Sequence, residues 1–267
     1  MKAFDYVKPA SVPEAVALLA ATAESRPLAG GMTLLPTMKQ RLAAPPALVD
    51  LSGIAALSGI AGTADTLSIG ATTRHVTVAR SEVVAQVIPA LAALAGGIGD
   101  PAVRNRGTIG GSLANNDPAA DYPAAALALG ATIVTNAREI AADNFFRGLF
   151  ETALGPDELI TTVRFPRPLA AGYAKAPNPA SRYAMVGVFA ARFASGVRVA
   201  VTGAGPVVFR VPKLEAALTA RFDPAAIGGL TIAPDGLTSD IHAEAAFRAH
   251  LIIVMAKRAV ALAQSPA

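Results

Sequence analysis

The amino-acid sequence predicts an α+β fold built from three successive units. Near the N-terminus, short apolar strands and helices alternate in the order βαβαβ, which favours a small parallel sheet. Strand-like runs recur in the middle of the chain and indicate a larger sheet. Further on, strands separated by tight turns are typical of an antiparallel meander, and the chain ends in helical patterns.

The first unit is defined by local start and stop signals. Ser11-Val12-Pro13-Glu14 has the spacing of a capping box and predicts a helix through Ala23. Thr33 is expected to cap a second helix through Arg41, which Pro45-Pro46 ends. The strands of this unit are predicted at Phe4–Tyr6, Arg26–Ala29 and Leu48–Leu51.

The second unit contains a stretch without clear periodicity. Its strands are predicted at Leu67–Ala71, Ala131–Thr135 and Thr161–Phe165. Ser81-Glu82 is expected to begin a helix that runs toward Gly96-Gly97. From Gly96 to Asp121 the chain is rich in Gly, Asn and Asp, which predicts a long irregular loop. Because such loops inside compact chains are usually functional, this segment is a candidate site.

The third unit follows Pro166-Arg167-Pro168, which we predict as a boundary. It divides the chain into domains 1–165 and 166–267, the first with subdomains of about 1–55 and 56–165. A Pro-, Ala- and Gly-rich loop is expected as far as Ser181. Strands are then predicted at Met185–Phe193, Val197–Val201 and Val207–Phe209, and helices at Lys213–Thr219, from Asp223-Pro224, and from Ser239-Asp240 to about Ala263.

Composition excludes several functional classes. With no cysteine among 267 residues, the chain cannot form disulfides, use a cysteine nucleophile, or hold metals or iron–sulfur clusters through thiolates. The net charge is +4, but Lys and Arg are scattered without interleaved aromatics, which argues against a nucleic-acid surface. No stretch reaches the ~20 uninterrupted apolar residues of a membrane span, and no signal-peptide core is visible. We therefore expect a cytoplasmic protein.

The low charge content has two explanations. Charged residues make up 16% of the chain, against about 25% in typical globular proteins. Either the composition is simply rich in alanine, or part of the surface is covered by partner subunits.

Two glycine pairs with hydroxyl neighbours form the main candidate site. The first motif is Gly30-Gly31-Met32-Thr33, and the second motif is Thr108-Ile109-Gly110-Gly111-Ser112. Paired glycines let consecutive N–H groups turn toward one concavity that suits phosphate oxygens, and the first pair precedes a helix. Each pair alone also fits an ordinary turn. Together they favour a shared diphosphate cradle of bare backbone amides.

Other candidate sites carry weaker signals. Neither glycine pair has the spacing of a dinucleotide-binding fingerprint, and Gly203-Ala204-Gly205-Pro206 is interpreted as a hairpin turn. The histidines share no short ligand spacing with one another or with acidic residues, so no metal site is predicted. Asp121 is a candidate to accept hydrogen bonds from a ribose hydroxyl or a flavin edge. Lys175 is either a solvated loop lysine or a ligand contact.

Several segments together match one family pattern. They are Leu28–Pro36, Gly99–Leu113 and Asp117-Pro118-Ala119-Ala120-Asp121, followed by Pro156–Ile160, Tyr173-x-Lys175 and Ser239–Ala243. In this combination they closely resemble the FAD-binding medium subunit of the molybdenum hydroxylases, the family of xanthine dehydrogenase and aerobic carbon monoxide dehydrogenase. The resemblance spans nearly the whole chain.

The resemblance implies a two-subdomain FAD-binding domain of the PCMH type, followed by a domain with a small antiparallel sheet and helices. FAD would lie between the two subdomains with both glycine motifs at its diphosphate. Ile98 would pack by the flavin ring, Asp121 would make a polar contact, and Thr161 and Lys175 would lie beside the flavin. The implied cofactor contacts are Ala29, Gly30, Gly31, Met32, Thr33, Leu34, Leu35, Ile98, Thr108, Ile109, Gly110, Gly111, Ser112, Asp121, Thr161 and Lys175.

The resemblance also implies an electron-transfer role without a catalytic acid or base on this chain. A large subunit with the molybdenum cofactor would oxidise the substrate, a small subunit with [2Fe–2S] clusters would pass electrons to FAD, and the flavin would deliver them to NAD or another acceptor. The implied assembly is a dimer of heterotrimers. Two alternatives stay open: a cofactor-free scaffold of the same fold, and a self-sufficient FAD oxidase.

Some residues depart from the family pattern. Asn116 and Tyr122 replace smaller or aliphatic residues beside the second motif, which leaves the packing of the flavin there open. The segment Asn136–Ala142 is shorter than usual. Gly110 is expected to face the diphosphate with a positive φ, so that Gly110→Val would abolish FAD retention.

Overall fold

The N-terminal unit is a three-stranded parallel sheet. The structure, a computed structural model, describes residues 1–264, and the last three residues of the predicted C-terminal domain lie outside that range. Strand β3 (Ala47–Asp50) lies between β1 (Asp5–Val7) and β2 (Arg26–Leu28) and pairs in parallel with both. The parallel sheet predicted from the βαβαβ order is confirmed.

The two helices of this unit begin in different ways. At α1 (Val12–Ala21), the hydroxyl of Ser11 accepts a hydrogen bond from the backbone N–H of Glu14 at 3.3 Å, as the capping box predicts. At α2 (Leu34–Lys39), Thr33 occupies the cap position, but its side chain makes no capping hydrogen bond. The predicted Thr33 cap is therefore wrong.

The middle unit contains a five-stranded antiparallel sheet and a separate hairpin. Its strands are β4 (Ile60–Gly62), β5 (Thr66–Gly70), β6 (Thr132–Thr135), β7 (Glu139–Ala141), β8 (Phe146–Gly148), β9 (Glu151–Thr152) and β10 (Ile160–Pro166). The sheet order is β4-β5-β10-β6-β7, while β8 and β9 pair only with each other. All three strands predicted for this unit are present.

The helices of the middle unit correct two predictions. They are α3 (His75–Arg80), α4 (Glu82–Val87), α5 (Pro89–Gly96), α6 (Pro101–Arg106), α7 (Ile109–Asn115) and α8 (Tyr122–Ala128). The single helix predicted from Ser81 to Gly96 is divided in two, because Pro89 cannot continue a helix and instead begins a new one. The predicted irregular loop contains α6 and α7, which Asp100 and Thr108 cap through their side chains.

The C-terminal unit is a four-stranded antiparallel sheet, β11 (Ala170–Pro177), β12 (Ala184–Phe193), β13 (Gly196–Thr202) and β14 (Phe209–Arg210). The predicted meander and its Gly203–Pro206 turn are confirmed. The loop predicted up to Ser181 is wrong, because β11 occupies most of it and pairs along its length with β12.

Two helices cover this sheet, α9 (Pro212–Ala220) and α10 (Ala245–Gln264). The long helix begins later than predicted, although the hydroxyl of Ser239 does accept a hydrogen bond from the N–H of Ala245 at 2.9 Å. The helix predicted from Asp223-Pro224 is a short 3-10 turn. Among residues 1–264, none of the helices combines the length and apolarity needed to cross a bilayer.

Helix α8 joins the middle and C-terminal units. All of its residues are buried, and it packs against β12 and β13, whose Phe189 and Ala200 belong to the same apolar core as the middle sheet. Helix burial on every side explains its uniformly apolar sequence. This packing places β11 next to Asp121, the residue that precedes α8.

Candidate cofactor site

The two glycine motifs meet backbone to backbone. A Cβ atom added to Gly30 would lie 2.3 Å from the carbonyl oxygen of Arg106 and 2.8 Å from Cα of Gly107. Only glycine permits so close an approach. A Cβ added to Gly111 would lie 3.8 Å from Cβ of Ala29. The motifs therefore line one crevice between the N-terminal and middle units.

The first motif presents a run of unpaired backbone donors. The N–H groups of Gly30 to Leu34 donate to no acceptor within residues 1–264. These residues are exposed or half-buried, and the chain turns through a left-handed conformation at Gly31, with φ of 70°. Consecutive amides of this kind suit anionic oxygens. Helix α2 has only six residues, so these amides, rather than the dipole of a long helix, are the donors that an anion would meet.

The second motif uses its backbone donors within the chain. Ile109 N donates to Thr73 O at 3.2 Å, Gly110 N to Ala71 O at 2.8 Å, Gly111 N to Thr108 Oγ1 at 3.1 Å, and Ser112 N to Thr108 O at 3.0 Å. These bonds attach the motif to the segment after β5. The interpretation of both motifs as bare amides is therefore wrong for the second one.

Gly110 has a structural role that the sequence did not indicate. Its φ is not positive. A Cβ atom added there would lie 2.6 Å from Cβ of Ala71 and 2.8 Å from its carbonyl oxygen. The predicted positive φ is wrong, and a side chain at this position would meet Ala71 at the end of β5.

Hydroxyl groups in both motifs have spare donors. The hydroxyls of Thr33, Thr108 and Ser112 donate to no acceptor in the described part of the chain. Thr161 is fixed near the second motif, because its carbonyl accepts from the N–H of Ala71 at 3.0 Å. Its own hydroxyl donates to the carbonyl of Val134 at 3.1 Å.

A buried ion pair joins Lys175 on β11 to Asp121. The ammonium Nζ of Lys175 lies 2.9 Å from Oδ1 of Asp121 and donates to the carbonyl of Gly97 at 2.9 Å. The Lys175 and Asp121 side chains are 11% and 4% exposed. The hydroxyl of Tyr173 also donates to Asp121. Two predicted contacts, Asp121 and Lys175, are thus brought together, and Lys175 also binds the residue before Ile98.

The electrostatics of this cluster depend on burial. Burial raises the pKa of Asp121, and the Lys175 ammonium and then the Tyr173 hydroxyl oppose that rise. Burial, followed by the charge of Asp121, raises the pKa of Tyr173 well above its usual range. Asp121 therefore relies on these two donors to remain ionised.

The segment Asp117–Asp121 is held by the C-terminal sheet. Thr202 Oγ1 lies 2.8 Å from the carbonyl oxygen of Pro118 and 2.7 Å from that of Ala120. The N–H of Gly203 donates to the carbonyl of Pro118 at 2.7 Å. Residues outside the first two units thus fix part of the candidate site.

The two departures from the family pattern have structural explanations. Asn116 has a left-handed conformation that ends α7, and its side-chain amide donates to the carbonyls of Gly148 and Glu151, each at 2.8 Å. Tyr122 is fully buried, and its ring centroid lies 5.3 Å from that of His75. Both residues serve packing and turn geometry.

Sequence reasoning includes Tyr173 in the family pattern but gives it no role at the site, and it misses Thr202. Tyr173 stands two residues before Lys175, so the two side chains share one face of a strand. The segment was predicted as a loop, where that spacing carries no meaning. Thr202 had no signal, because its partners are more than 80 positions away along the chain.

A crevice of unpaired amides and glycine backbone suits a protein that binds a diphosphate-containing cofactor. Residues 2–168 match the profile described as the FAD binding domain in molybdopterin dehydrogenase. The chain belongs to the family of FAD-binding medium subunits of molybdenum hydroxylases.

One curated relative and one solved structure match nearly the whole chain, and another relative matches about two thirds of it. It is 35% identical to the medium subunit of nicotine 6-hydroxylase from Paenarthrobacter nicotinovorans, over 97% of both chains. It is 44% identical to the carbon monoxide dehydrogenase medium chain of Afipia carboxidovorans, over 64% of this chain and 62% of that one. Reconstituted carbon monoxide dehydrogenase from Oligotropha carboxidovorans superposes with a TM-score of 0.89 and 32% identity, covering 100% of this chain and 99% of that one.

These similarities confirm the predicted family, the α+β fold of the PCMH type and FAD as cofactor. The chain is a subunit of an oxidoreductase. Its residues fit FAD, since the unpaired N–H groups of the first motif can donate hydrogen bonds to the oxygens of a diphosphate.

Proposed function

We propose that this chain holds FAD in the crevice between its first two units and relays electrons. The electrons would come from [2Fe–2S] clusters on a small subunit and leave to NAD or another acceptor, while a large subunit with the molybdenum cofactor oxidises the substrate. Relatives named as medium subunits or chains of such enzymes support a place in a multi-subunit complex.

One observation carries the proposal. Five consecutive N–H groups, from Gly30 to Leu34, lack acceptors within residues 1–264 and lie at the crevice opposite the second motif. Backbone donors left without partners usually bind water or a ligand. A diphosphate supplies enough anionic oxygens to pair with such a run.

The proposed contacts divide by chemistry. The amides of the first motif and the hydroxyls of both motifs would bind the diphosphate, Ile98 would pack against the flavin ring, and Lys175 would place a cation beside it. Asp121 and Thr161 would complete the polar contacts. The remaining proposed contacts are Ala29, Gly30, Gly31, Met32, Thr33, Leu34, Leu35, Thr108, Ile109, Gly110, Gly111 and Ser112.

When bound, FAD supplies the ability to accept electrons singly and release them in pairs. The residues of this chain contribute position and charge. The closely approaching backbones of Gly30 and Arg106 bring the two motifs together, and the buried Lys175 offers positive charge where reduction adds negative charge.

The proposal extends to organisation and location. We propose domains 1–165 and 166–267, because β10 ends at Pro166 and the next strand belongs to another sheet. A dimer of heterotrimers would cover part of the surface, in keeping with the 16% charge content. We also propose a cytoplasmic location.

Cofactor content tests the first step. The chain, purified alone and with its co-expressed partner subunits, should show flavin absorbance and release about one FAD per chain on denaturation. A colourless protein that cannot be reconstituted with FAD would favour the scaffold alternative. Turnover of substrate by the isolated chain would favour a self-sufficient oxidase.

Anaerobic reduction tests the relay. In the complex, adding substrate should bleach the flavin absorbance after the iron–sulfur absorbance begins to fall, and adding the acceptor should restore it. A flavin that stays oxidised while the clusters are reduced would contradict the proposed route.

A further inference from the structure

The hairpin of β8 and β9 turns at two large apolar residues that face solvent. Leu149 and Phe150 connect the two strands and are 59% and 57% exposed. Turns between strands usually consist of glycine and small polar residues. Single exposed apolar residues are common, but an adjacent pair of this size at a hairpin tip is a candidate contact surface.

The backbone of the turn makes the aromatic residue more unusual. Phe150 has a φ of 54°, a left-handed conformation that glycine or asparagine adopts more readily than a bulky residue. Strained residues of this kind cluster at functional sites. A phenylalanine here destabilises the turn, and its exposed ring gains little from burial within the chain. This combination favours a role for the ring outside the chain.

The tip is held firmly at its base. The side-chain amide of Asn116 donates to the carbonyls of Gly148 and Glu151, the residues on either side of the tip, each at 2.8 Å. Phe145, just before β8, is fully buried in the core of the middle unit. A surface that is ordered before binding loses less conformational entropy on association. The tip is therefore a preorganised apolar anchor.

The anchor is attached to the helix that carries the second motif. Asn116 directly follows α7, and α7 begins inside that motif at Ile109. A helix of seven residues is about 10 Å long. The base of the hairpin is therefore fixed within about 10 Å, along this helix, of the wall of the proposed FAD crevice.

We propose that the Leu149–Phe150 tip docks into an apolar pocket on the [2Fe–2S] subunit. The inference rests on the proposed function, in which that subunit delivers electrons to FAD and must therefore lie beside the cofactor. The large subunit passes its electrons to the clusters and has no need to approach the flavin. Apolar and aromatic anchors that fill pockets on a partner dominate the affinity of many protein interfaces.

The dissociation constant for the purified [2Fe–2S] subunit tests the proposal. In the full FAD-loaded chain, Phe150→Asn removes the ring and introduces a residue that accepts the left-handed turn. We expect the [2Fe–2S] subunit to bind at least tenfold more weakly in calorimetric titrations, with unchanged FAD content. Leu169→Ser is the matched control, because Leu169 is 66% exposed just before β11, and it should bind like wild type. Leu149→Ser, with the same expected loss, replaces Phe150→Asn if that variant does not fold.

A photo-crosslink identifies the partner at the tip. Because the chain has no cysteine, Leu149→Cys supplies a single attachment site for a benzophenone maleimide. In the assembled complex, illumination should join this chain to the [2Fe–2S] subunit. A crosslink to the large subunit or to a second copy of this chain would overturn the proposal. Absence of any crosslink, or wild-type affinity in Phe150→Asn, would overturn it as well.

The two levels of inference fail in different ways. A wild-type chain that binds no FAD, or a flavin that stays oxidised beside reduced clusters, would overturn the proposed function and the docking proposal with it. Normal FAD content and normal flavin reduction, together with wild-type affinity in Phe150→Asn, would overturn the docking proposal alone.

Discussion

The two glycine motifs have similar sequences and different backbone chemistry. In the first, the amides from Gly30 to Leu34 have no acceptor within residues 1–264. In the second, the amides from Ile109 to Ser112 all donate within the chain. The first motif therefore has free donors that suit a ligand, and the second is fixed to the middle unit by its own hydrogen bonds. A Gly-Gly pair in a sequence indicates that another group approaches the backbone closely. The hydrogen-bond partners of its amides are needed to tell whether that group is part of the chain or a ligand.

The largest predicted effect is a loss of stability in acid, caused by the buried His75 beside the second motif. The backbone N–H of His75 donates to the carbonyl of Gly107 at 2.9 Å, next to the second motif. Burial of its imidazole, with a smaller effect of Arg104, lowers the pKa of the side chain to about 4. The unfolded chain protonates this histidine below about pH 6.5 and the folded chain does not. The free energy of unfolding should therefore fall between pH 6.5 and 4, by about 3 kcal/mol from this residue.

Urea unfolding of the FAD-free chain between pH 8 and pH 4 measures this loss. His75→Gln should flatten the profile in that window, and the exposed His250→Gln variant should keep the wild-type shape. A wild-type profile that is level from pH 6.5 to 4 would contradict the lowered pKa of the His75 side chain.

Gly110→Val should lower the stability of the protein without directly affecting FAD binding. Its Cβ would overlap Ala71, and overpacking of this kind costs about 2 kcal/mol. The molecules that remain folded should bind FAD with an affinity within about twofold of wild type, measured by fluorescence titration. Gly229→Val is the control, since a Cβ there meets open space. Normal stability with lost FAD binding would restore the original sequence-based expectation.

Gly30→Ala should weaken FAD binding at least tenfold, or about 1.4 kcal/mol. The added Cβ would lie 2.3 Å from the carbonyl oxygen of Arg106 and would force the motifs apart. Titration of the FAD-free chain gives the dissociation constant, and Gly229→Ala should match wild type. If Gly30→Ala binds FAD normally, the crevice between the motifs is not the site.

The smallest predicted difference is between the stability losses caused by replacing Thr108 and Thr33. Thr108→Val removes the cap of α7 and should cost about 1 kcal/mol of stability without FAD. Thr33→Val removes no capping bond and should cost under about 0.5 kcal/mol. Urea unfolding of both variants without FAD measures the difference. Equal losses would mean that the two threonines play the same structural part.

Local signals were sufficient for much of the fold. The capping box at Ser11 and the alternation of short strands and helices predicted the N-terminal sheet. Asp100-Pro101 and Thr108 carried similar signals for α6 and α7, since a capping side chain and a first-turn proline mark helix starts. The glycine content of the segment favours a loop and outweighs these signals when the sequence is taken alone.

Distant partners set the limits of sequence reasoning at the site. The acceptors for Ile109 and Gly110 are the carbonyls of Thr73 and Ala71, which lie more than 30 positions earlier. Strand β11 is rich in residues of low strand propensity, and it forms because β12 pairs with it and α10 packs across it. Because β11 is a strand, Lys175 is not a solvated loop lysine and instead forms a buried ion pair with Asp121.

The grip of Thr202 and Gly203 on the Pro118 carbonyl has a practical consequence for engineering. The FAD-binding profile ends at residue 168, yet a fragment cut there would leave the Asp117–Asp121 segment without its clamp. Chimaeras that exchange the FAD-binding domain between relatives should therefore include the C-terminal sheet, so that the domain and the sheet are transferred together.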